Sequence, residues 1–197
     1  MKTCCVLGLG YIGLPTAALL ASNGYKVTGV DINKEVVRKV NNGEIHIFEP
    51  KLLEFVQETV INKSLKASLS PVEADVFIIA VPTPFKENSV SNLPSPNLKY
   101  VLDAAEAIAK VLKPGNLVII ESTSPIGTTK KVFEVLKELS LIKPKDINIA
   151  YCPERVIPGR IIEELINNDR VVGGDNELSS ELAYKFYKSF CKGNIFI

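Results

Sequence analysis

Residues 2–32 read KTCCVLGLGYIGLPTAALLASNGYKVTGVDI, and the parsing of this stretch decides the fold. A lysine followed by a long apolar run has the outline of a secretion leader, but a leader is uninterrupted and ends in a small-residue cleavage site. Here Gly8, Gly10, Gly13 and Pro15 cut the run. The glycines fall in the spacing G-x-G-x-x-G, which alone is weak and gains meaning from its setting. TCCVLGLG reads as a buried strand, IGLPTAALLASNG as a helix stopped by Gly24, and KVTGVD as a second strand ending in Asp31. Asp31 lies 18 residues beyond Gly13, near the roughly 20 expected for an acid that binds an adenosine ribose.

That spacing has a chemistry. Gly8 allows a tight turn, Gly10 removes a side chain so that backbone can approach a diphosphate, and Gly13 lets helix and strand pack closely. The diphosphate would rest on unpaired N–H groups at the positive end of the helix. Asp31 can accept hydrogen bonds from both ribose hydroxyls and would repel the extra phosphate of NADP, so the expected cofactor is NAD. The functionless alternative is an ordinary strand-turn-helix with a solvated aspartate.

The remaining chain alternates strand and helix. NKEVVRKVNNG (33–43) and PKLLEFVQETVINKS (50–64) read as helices, with Pro50 suited to the first turn of the second. ADVFIIAVPTP (74–84) is an apolar strand running into FKENSVSNLPSPN (85–97), a loop long enough to be functional or mobile. LKYVLDAAEAIAKVLKPG (98–115) is a helix and NLVIIEST (116–123) a strand. SPIGTTKKVFEVLKEL (124–139) is a helix with Ser124 as cap and Pro125 at its first position. KDINIAYCPE, GRIIEELINN, DRVVGG, ELSSELAYKFYKSF and GNIFI then read as strand, helix, strand, helix and last strand. Such alternation predicts an α/β fold: a doubly wound, mostly parallel sheet of the Rossmann type.

In such sheets ligands bind beyond the carboxyl ends of the strands, where the unusual residues of this chain gather. Pro82 and Pro84 stiffen a loop that offers Thr83 to the nicotinamide half of the cofactor. Thr123 follows the next apolar strand, and Glu154 with Arg155 follows the one after. A carboxylate there can hold or activate water, and a guanidinium can clasp a phosphate or sugar carboxylate. A mutual surface ion pair of Glu154 and Arg155 is the bland alternative.

Bulk properties narrow the class. The 197 residues suffice for one sizeable core. With 23 basic and 22 acidic side chains there is no field to gather nucleic acid or acidic membrane. No apolar run approaches the roughly 18 residues of a membrane span. Cys4, Cys5, Cys152 and Cys191 form no metal or disulfide spacing, which predicts reduced thiols, a cytoplasmic location and no metal. Adjacent Cys4 and Cys5 should face opposite sides of a strand, and Cys191, on a helix, should lie in the core. Cys152 as a nucleophile finds no neighbouring histidine, since His46 is the only one in the chain.

Taken together, GLGYIGLPTAALLA (8–21), GVDIN (29–33), GEIHIFEP (43–50), PVEADVFIIAVPTPFK (71–86), VIIESTSPIGTT (118–129) and NIAYCPERVIPGRIIEELINNDRVVGG (148–174) resemble the NAD-binding half of the UDP-glucose/GDP-mannose dehydrogenase family. The resemblance spans essentially the whole chain. The first motif is widespread among dehydrogenases, whereas ESTSPIGTT is more particular to the family. YCPERVIPG points to the N-acetylmannosamine branch, because glucose-type relatives carry an NPEFLREG-like segment there.

The resemblance implies oxidation of a UDP-sugar at its C6 alcohol to a carboxylate, in two NAD-dependent steps without release of the aldehyde. It implies cofactor contacts at Tyr11, Ile12, Asp31, Thr83 and Thr123, and substrate contacts at Arg155 and Val156. Glu154 takes the place of the acid that positions or activates water for thioester hydrolysis, with Thr123 joining its network. The family's nucleophilic cysteine, catalytic lysine, nucleotide-sugar domain and dimer helix belong to a second half. Residues 1–197 are therefore expected to form the dinucleotide-binding domain, to turn over little alone, and to dimerise when joined to that half. A stand-alone NAD-binding regulatory module and a UDP-glucose/GDP-mannose-type enzyme are the alternatives. Small β-hydroxyacid dehydrogenases share the opening but lack the ESTSPIGTT and CPERVIPG pair.

Overall fold

The computed structural model describes residues 2–86 and 95–197. The opening folds as its spacing dictates: β1 (Thr3–Leu7), α1 (Gly13–Ser22) and β2 (Lys26–Val30). Pro15 sits in the first turn of α1, where its missing N–H costs nothing. Every residue from Gly13 to Ala21 is buried, so α1 is a core helix rather than an amphipathic surface one. It ends at Gly24, whose φ of +87° reverses the chain into β2.

There follow α2 (Lys34–Asn41), α3 (Leu52–Ile61), β3 (Leu65–Ser68), β4 (Val76–Ile79), α4 (Lys99–Ala109), β5 (Leu117–Ile120), α5 (Thr128–Leu139) and β6 (Asn148–Tyr151). The chain continues through α6 (Ile161–Asn167), β7 (Arg170–Val171), β8 (Gly173–Gly174), α7 (Glu177–Lys188) and β9 (Ile195–Phe196). The main sheet has the order β3-β2-β1-β4-β5-β6-β8 and is parallel except for β8, which runs against β6.

The inner strands are apolar because helices cover both faces. Cys4, Val6, Ile78 and Ile119 face a core shared with α1, α3, α6 and α7. Cys5, Leu7, Phe77, Ile79, Val118 and Ile120 face a second core under α4 and α5. The two cysteines thus point to opposite faces, as strand alternation requires.

Several local expectations are corrected. Pro50 lies ahead of α3 rather than in its first turn, and Lys51, at φ +66°, makes the N-cap. Residues 169–174 are two strands, not one: Arg170 and Val171 pair with Ile195 and Phe196 in a separate two-stranded sheet, while Gly173 and Gly174 pair with Tyr151 and Ala150. The last strand therefore joins the small sheet and not the main one. Cys191 is buried but lies past the end of α7.

Ser124 does not cap α5, which begins three residues beyond Pro125, after Gly127 at φ +87°. The Tyr151 hydroxyl takes up the Ser124 N–H at 3.1 Å and donates to its carbonyl at 3.3 Å, and Ser124 Oγ donates to the Ser122 carbonyl. Those bonds hold Ser124 out of the helix. Of the loop 85–97, read as functional or mobile, residues 87–94 lie outside the described residues. Its two ends are joined by Lys86 N–H to the Ser95 carbonyl and Asn97 N–H to the Pro84 carbonyl.

Candidate functional site

A cleft of about 1130 Å³ opens at the carboxyl ends of β1, β2, β4 and β5, beside the point where strand order reverses between β1 and β4. The glycine turn forms its floor. Gly8 has φ +90°, and a Cβ there would lie 2.6 Å from the Ala80 carbonyl oxygen. At Gly13 a Cβ would lie 1.7 Å from the Gly8 carbonyl oxygen, so only glycine lets α1 start this close to β1. At Gly10 a Cβ would meet nothing within 4 Å and would project into open space.

The α1 N-terminus is built to receive an anion. Ile12 at the N-cap offers no side-chain bond, and the first turn holds no acidic residue. The N–H groups of Tyr11 and Ile12, both lining the cleft, have no acceptor among the described residues. Bare glycine, open space and free donors together fit a diphosphate.

Asp31 stands at the end of β2 on the same floor. Its Oδ2 accepts the Leu9 N–H at 3.0 Å and its Oδ1 the Asn33 N–H at 2.9 Å. The carboxylate is therefore fixed to the glycine turn before any ligand arrives, at the edge of the cleft that it lines. Ile32, Leu69 and Pro71, which the sequence did not mark, add an apolar wall beside it, suited to the face of a purine.

On the other side of the turn, the ends of β4 and β5 are stitched together. Thr83 Oγ1 donates to the Thr123 carbonyl at 2.8 Å, and Ser122 Oγ donates to the Val81 carbonyl at 2.7 Å. Pro82, Thr83 and Thr123 all line the cleft, and Thr83 offers it oxygen lone pairs because its proton is committed.

Glu154 reaches the same cleft but pairs with a residue that sequence proximity did not suggest. Its Oε2 lies 2.7 Å from Arg170 Nη1, and the two side chains are 5% and 4% exposed. Its Oε1 accepts the Arg155 N–H at 2.8 Å, while the Arg155 guanidinium donates to the Asp169 carbonyl. The Glu154–Arg155 surface pair is thus replaced by a buried Glu154–Arg170 pair. Arg155 is exposed and Val156 half-buried against the core, and neither lines the cleft.

Beneath these residues lies a polar cluster. Glu121 is buried at the end of β5 and lines the cleft, and the Tyr187 hydroxyl donates to its Oε1 at 2.8 Å. Arg170 stacks over the Tyr187 ring, 4.6 Å from its centroid. Burial, and next the charge of Glu154, pushes the Glu121 carboxyl up to about 7. Burial also pushes the Cys152 thiol up to about 11, the wrong direction for a nucleophile. Glu121 carried a signal in the sequence: like Asp31, it is a lone acid ending an apolar strand. Arg170 and Tyr187 carried none.

A doubly wound sheet with a glycine turn, an acid at the end of β2 and a cleft at the switch point defines an NAD-binding dehydrogenase domain. A profile of the UDP-glucose/GDP-mannose dehydrogenase family, NAD binding domain, matches residues 2–191, and the chain belongs to that family. It is similar to UDP-N-acetyl-D-mannosamine dehydrogenase of Campylobacter jejuni, 53% identical over 96% of this chain and 47% of the relative. The Methanococcus maripaludis protein of the same name is 49% identical over 100% of this chain and 44% of its own. The solved UDP-N-acetyl-mannosamine dehydrogenase of Staphylococcus aureus superposes with a TM-score of 0.92 at 40% identity, over 99% of this chain and 47% of that one. The chain thus spans somewhat less than half the length of these relatives. Among the described residues no helix is long and apolar enough to cross a membrane.

Proposed function

We propose that the chain is the cofactor-binding half of a nucleotide-sugar 6-dehydrogenase that oxidises UDP-N-acetyl-D-mannosamine to UDP-N-acetyl-D-mannosaminuronate. The observation that carries this reading is the single cleft that joins a dinucleotide floor, at Gly10 and Asp31, to a polar reacting end at Thr123 and Glu154. The names of the relatives support the choice of sugar. When bound, NAD supplies the hydride acceptor for both oxidations.

The chain's own residues divide the work. Gly10, Tyr11 and Ile12 seat the diphosphate, Gly8 and Gly13 shape the turn, and Asp31 holds the adenosine ribose. Pro82, Thr83 and Thr123 border the nicotinamide half. Both oxygens of Glu154 already accept hydrogen bonds, which suits it to orient a water molecule rather than to strip it. Arg155 and Val156, beyond the cleft, are placed to meet sugar or phosphate held by the second half of the enzyme; Arg155 spends one nitrogen on Asp169 and keeps other donors. A homodimer and a cytoplasmic location complete the proposal, the latter supported by four unpaired buried thiols.

Asp31→Ala tests the cofactor half. Hydrogen bonds to a charged group are lost, with a net loss of about 1.5–3 kcal/mol once water replaces part of what the carboxylate offered. NAD binding by calorimetry should weaken by about ten- to a hundredfold, and the preference over NADP should narrow. Equal NAD affinity in variant and parent would remove Asp31 from the site.

A further inference from the structure

The sheet order places Asp31, after β2, and Glu121, after β5, on opposite sides of the glycine turn that follows β1. A dinucleotide with its diphosphate at Gly10 and one ribose on Asp31 must lay its other half over the ends of β4 and β5. That half therefore arrives at Glu121. Its nicotinamide ring is a cation in the oxidised form and neutral in the reduced form.

Glu121 meets it without a cation of its own. From α7, Tyr187 donates to Oε1; Thr16 of α1 also neighbours the carboxyl, and Glu121 Oε2 and Thr16 Oγ1 are both buried without a partner at hydrogen-bond geometry among the described residues. The one nearby guanidinium among the described residues, Arg170 of β7, pairs with Glu154 beyond β6 and only partly draws the Glu121 carboxyl down, so a single positive charge stands against two carboxylates. The remaining titratable neighbours are Cys152, beyond β6, and Cys4 of β1, both with thiols raised by burial and so uncharged at neutral pH. Ionised Glu121 would be the uncompensated charge of the cluster.

Resting on the reading of this cleft as the NAD site, we propose that Glu121 is a specificity residue for the redox state of the cofactor, releasing a proton to solvent when the oxidised form binds. The cationic ring supplies the counter-charge that the cluster lacks; the reduced ring does not. Because burial holds the free carboxyl near 7, the coupling falls in the neutral range. The sign follows: oxidised cofactor favours the carboxylate, so its affinity rises with pH while that of NADH stays level.

Calorimetric titration of the chain with NAD at pH 7, in phosphate and in Tris, reads the protons released from the difference in heat. About half a proton per NAD is expected when pH equals pKa, and none for NADH. Glu121→Gln should abolish the release, whatever its affinity. In the unsubstituted chain, the ratio of NAD to NADH affinity should rise by up to about tenfold between pH 6 and pH 8. Binding heat that is the same in both buffers, or a flat affinity ratio, overturns the proposal while leaving the cofactor site intact. Absence of heat with both forms overturns the cofactor reading and this inference with it.

Discussion

A methyl group added at Gly13 is expected to destabilise the domain by about 3 kcal/mol or more, whereas the same methyl at Gly10 should leave stability almost unchanged and remove most NAD binding. At Gly13 the new carbon would sit 1.7 Å from the Gly8 carbonyl oxygen, and both atoms belong to main chain. Relief requires α1 to back away from β1, and α1 is buried along its length. At Gly10 nothing lies within 4 Å, so Ala is accommodated in the free protein, with a change within about 0.5 kcal/mol. The methyl would then stand where the diphosphate approaches, costing at least about tenfold in affinity, or 1.4 kcal/mol. Urea unfolding and NAD titration of both variants separate the effects. A Gly10→Ala protein that binds NAD as tightly as the parent would sink the assignment of the diphosphate to this turn.

Arg170→Met should cost about 3–5 kcal/mol in urea, because it strands the buried carboxylate of Glu154, whose one ion-pair partner among the described residues is Arg170. The distance of 2.7 Å and the near-complete burial of both partners set this pair apart from the surface pairs of the chain, such as Glu35–Arg38, which are worth about 0–1 kcal/mol. Arg170 also donates to the Leu165 carbonyl and covers the Tyr187 ring, so part of the loss is packing. Combining Arg170→Met with Glu154→Gln leaves no charge stranded and should recover much of the stability. A loss below about 1 kcal/mol for the single variant would mean that water reaches the pair. Arg170 also draws the Glu121 carboxyl downward, so the same change should move its titration to higher pH.

What the sequence revealed and what it hid divide along the range of the interactions. The glycine turn, Asp31, the long helices and the apolar strands are local patterns, and each appears where its spacing places it. β3 was missed because LKAS turns only two residues inward, Leu65 and Ala67, too few for a visible period. DRVVGG looked like one strand because its apolar run is continuous. Its two halves pair with β9 and β6, partners that no local rule names. Ser124 had the chemistry and position of a cap, and a tyrosine 27 residues away took its main chain instead. The site shows the same division: Asp31, Thr83, Thr123 and Glu154 follow strands and line one cleft, as their positions imply, while the buried charge network joining Glu121, Glu154, Arg170 and Tyr187 depends on contacts across 16 to 66 residues.

On the proposed assignment of the adenosine ribose to Asp31, the mooring of its carboxylate bears on any attempt to retune coenzyme preference. With both oxygens tied to amides, the side chain cannot swing aside to admit a phosphorylated ribose, and changes at its neighbours leave the barrier standing. Acceptance of NADP has to begin at position 31 itself. A substituent that keeps an oxygen acceptor for the Leu9 amide, as Asn or Ser does, is the sounder start, since a purely aliphatic one would release the loop it is meant to redesign.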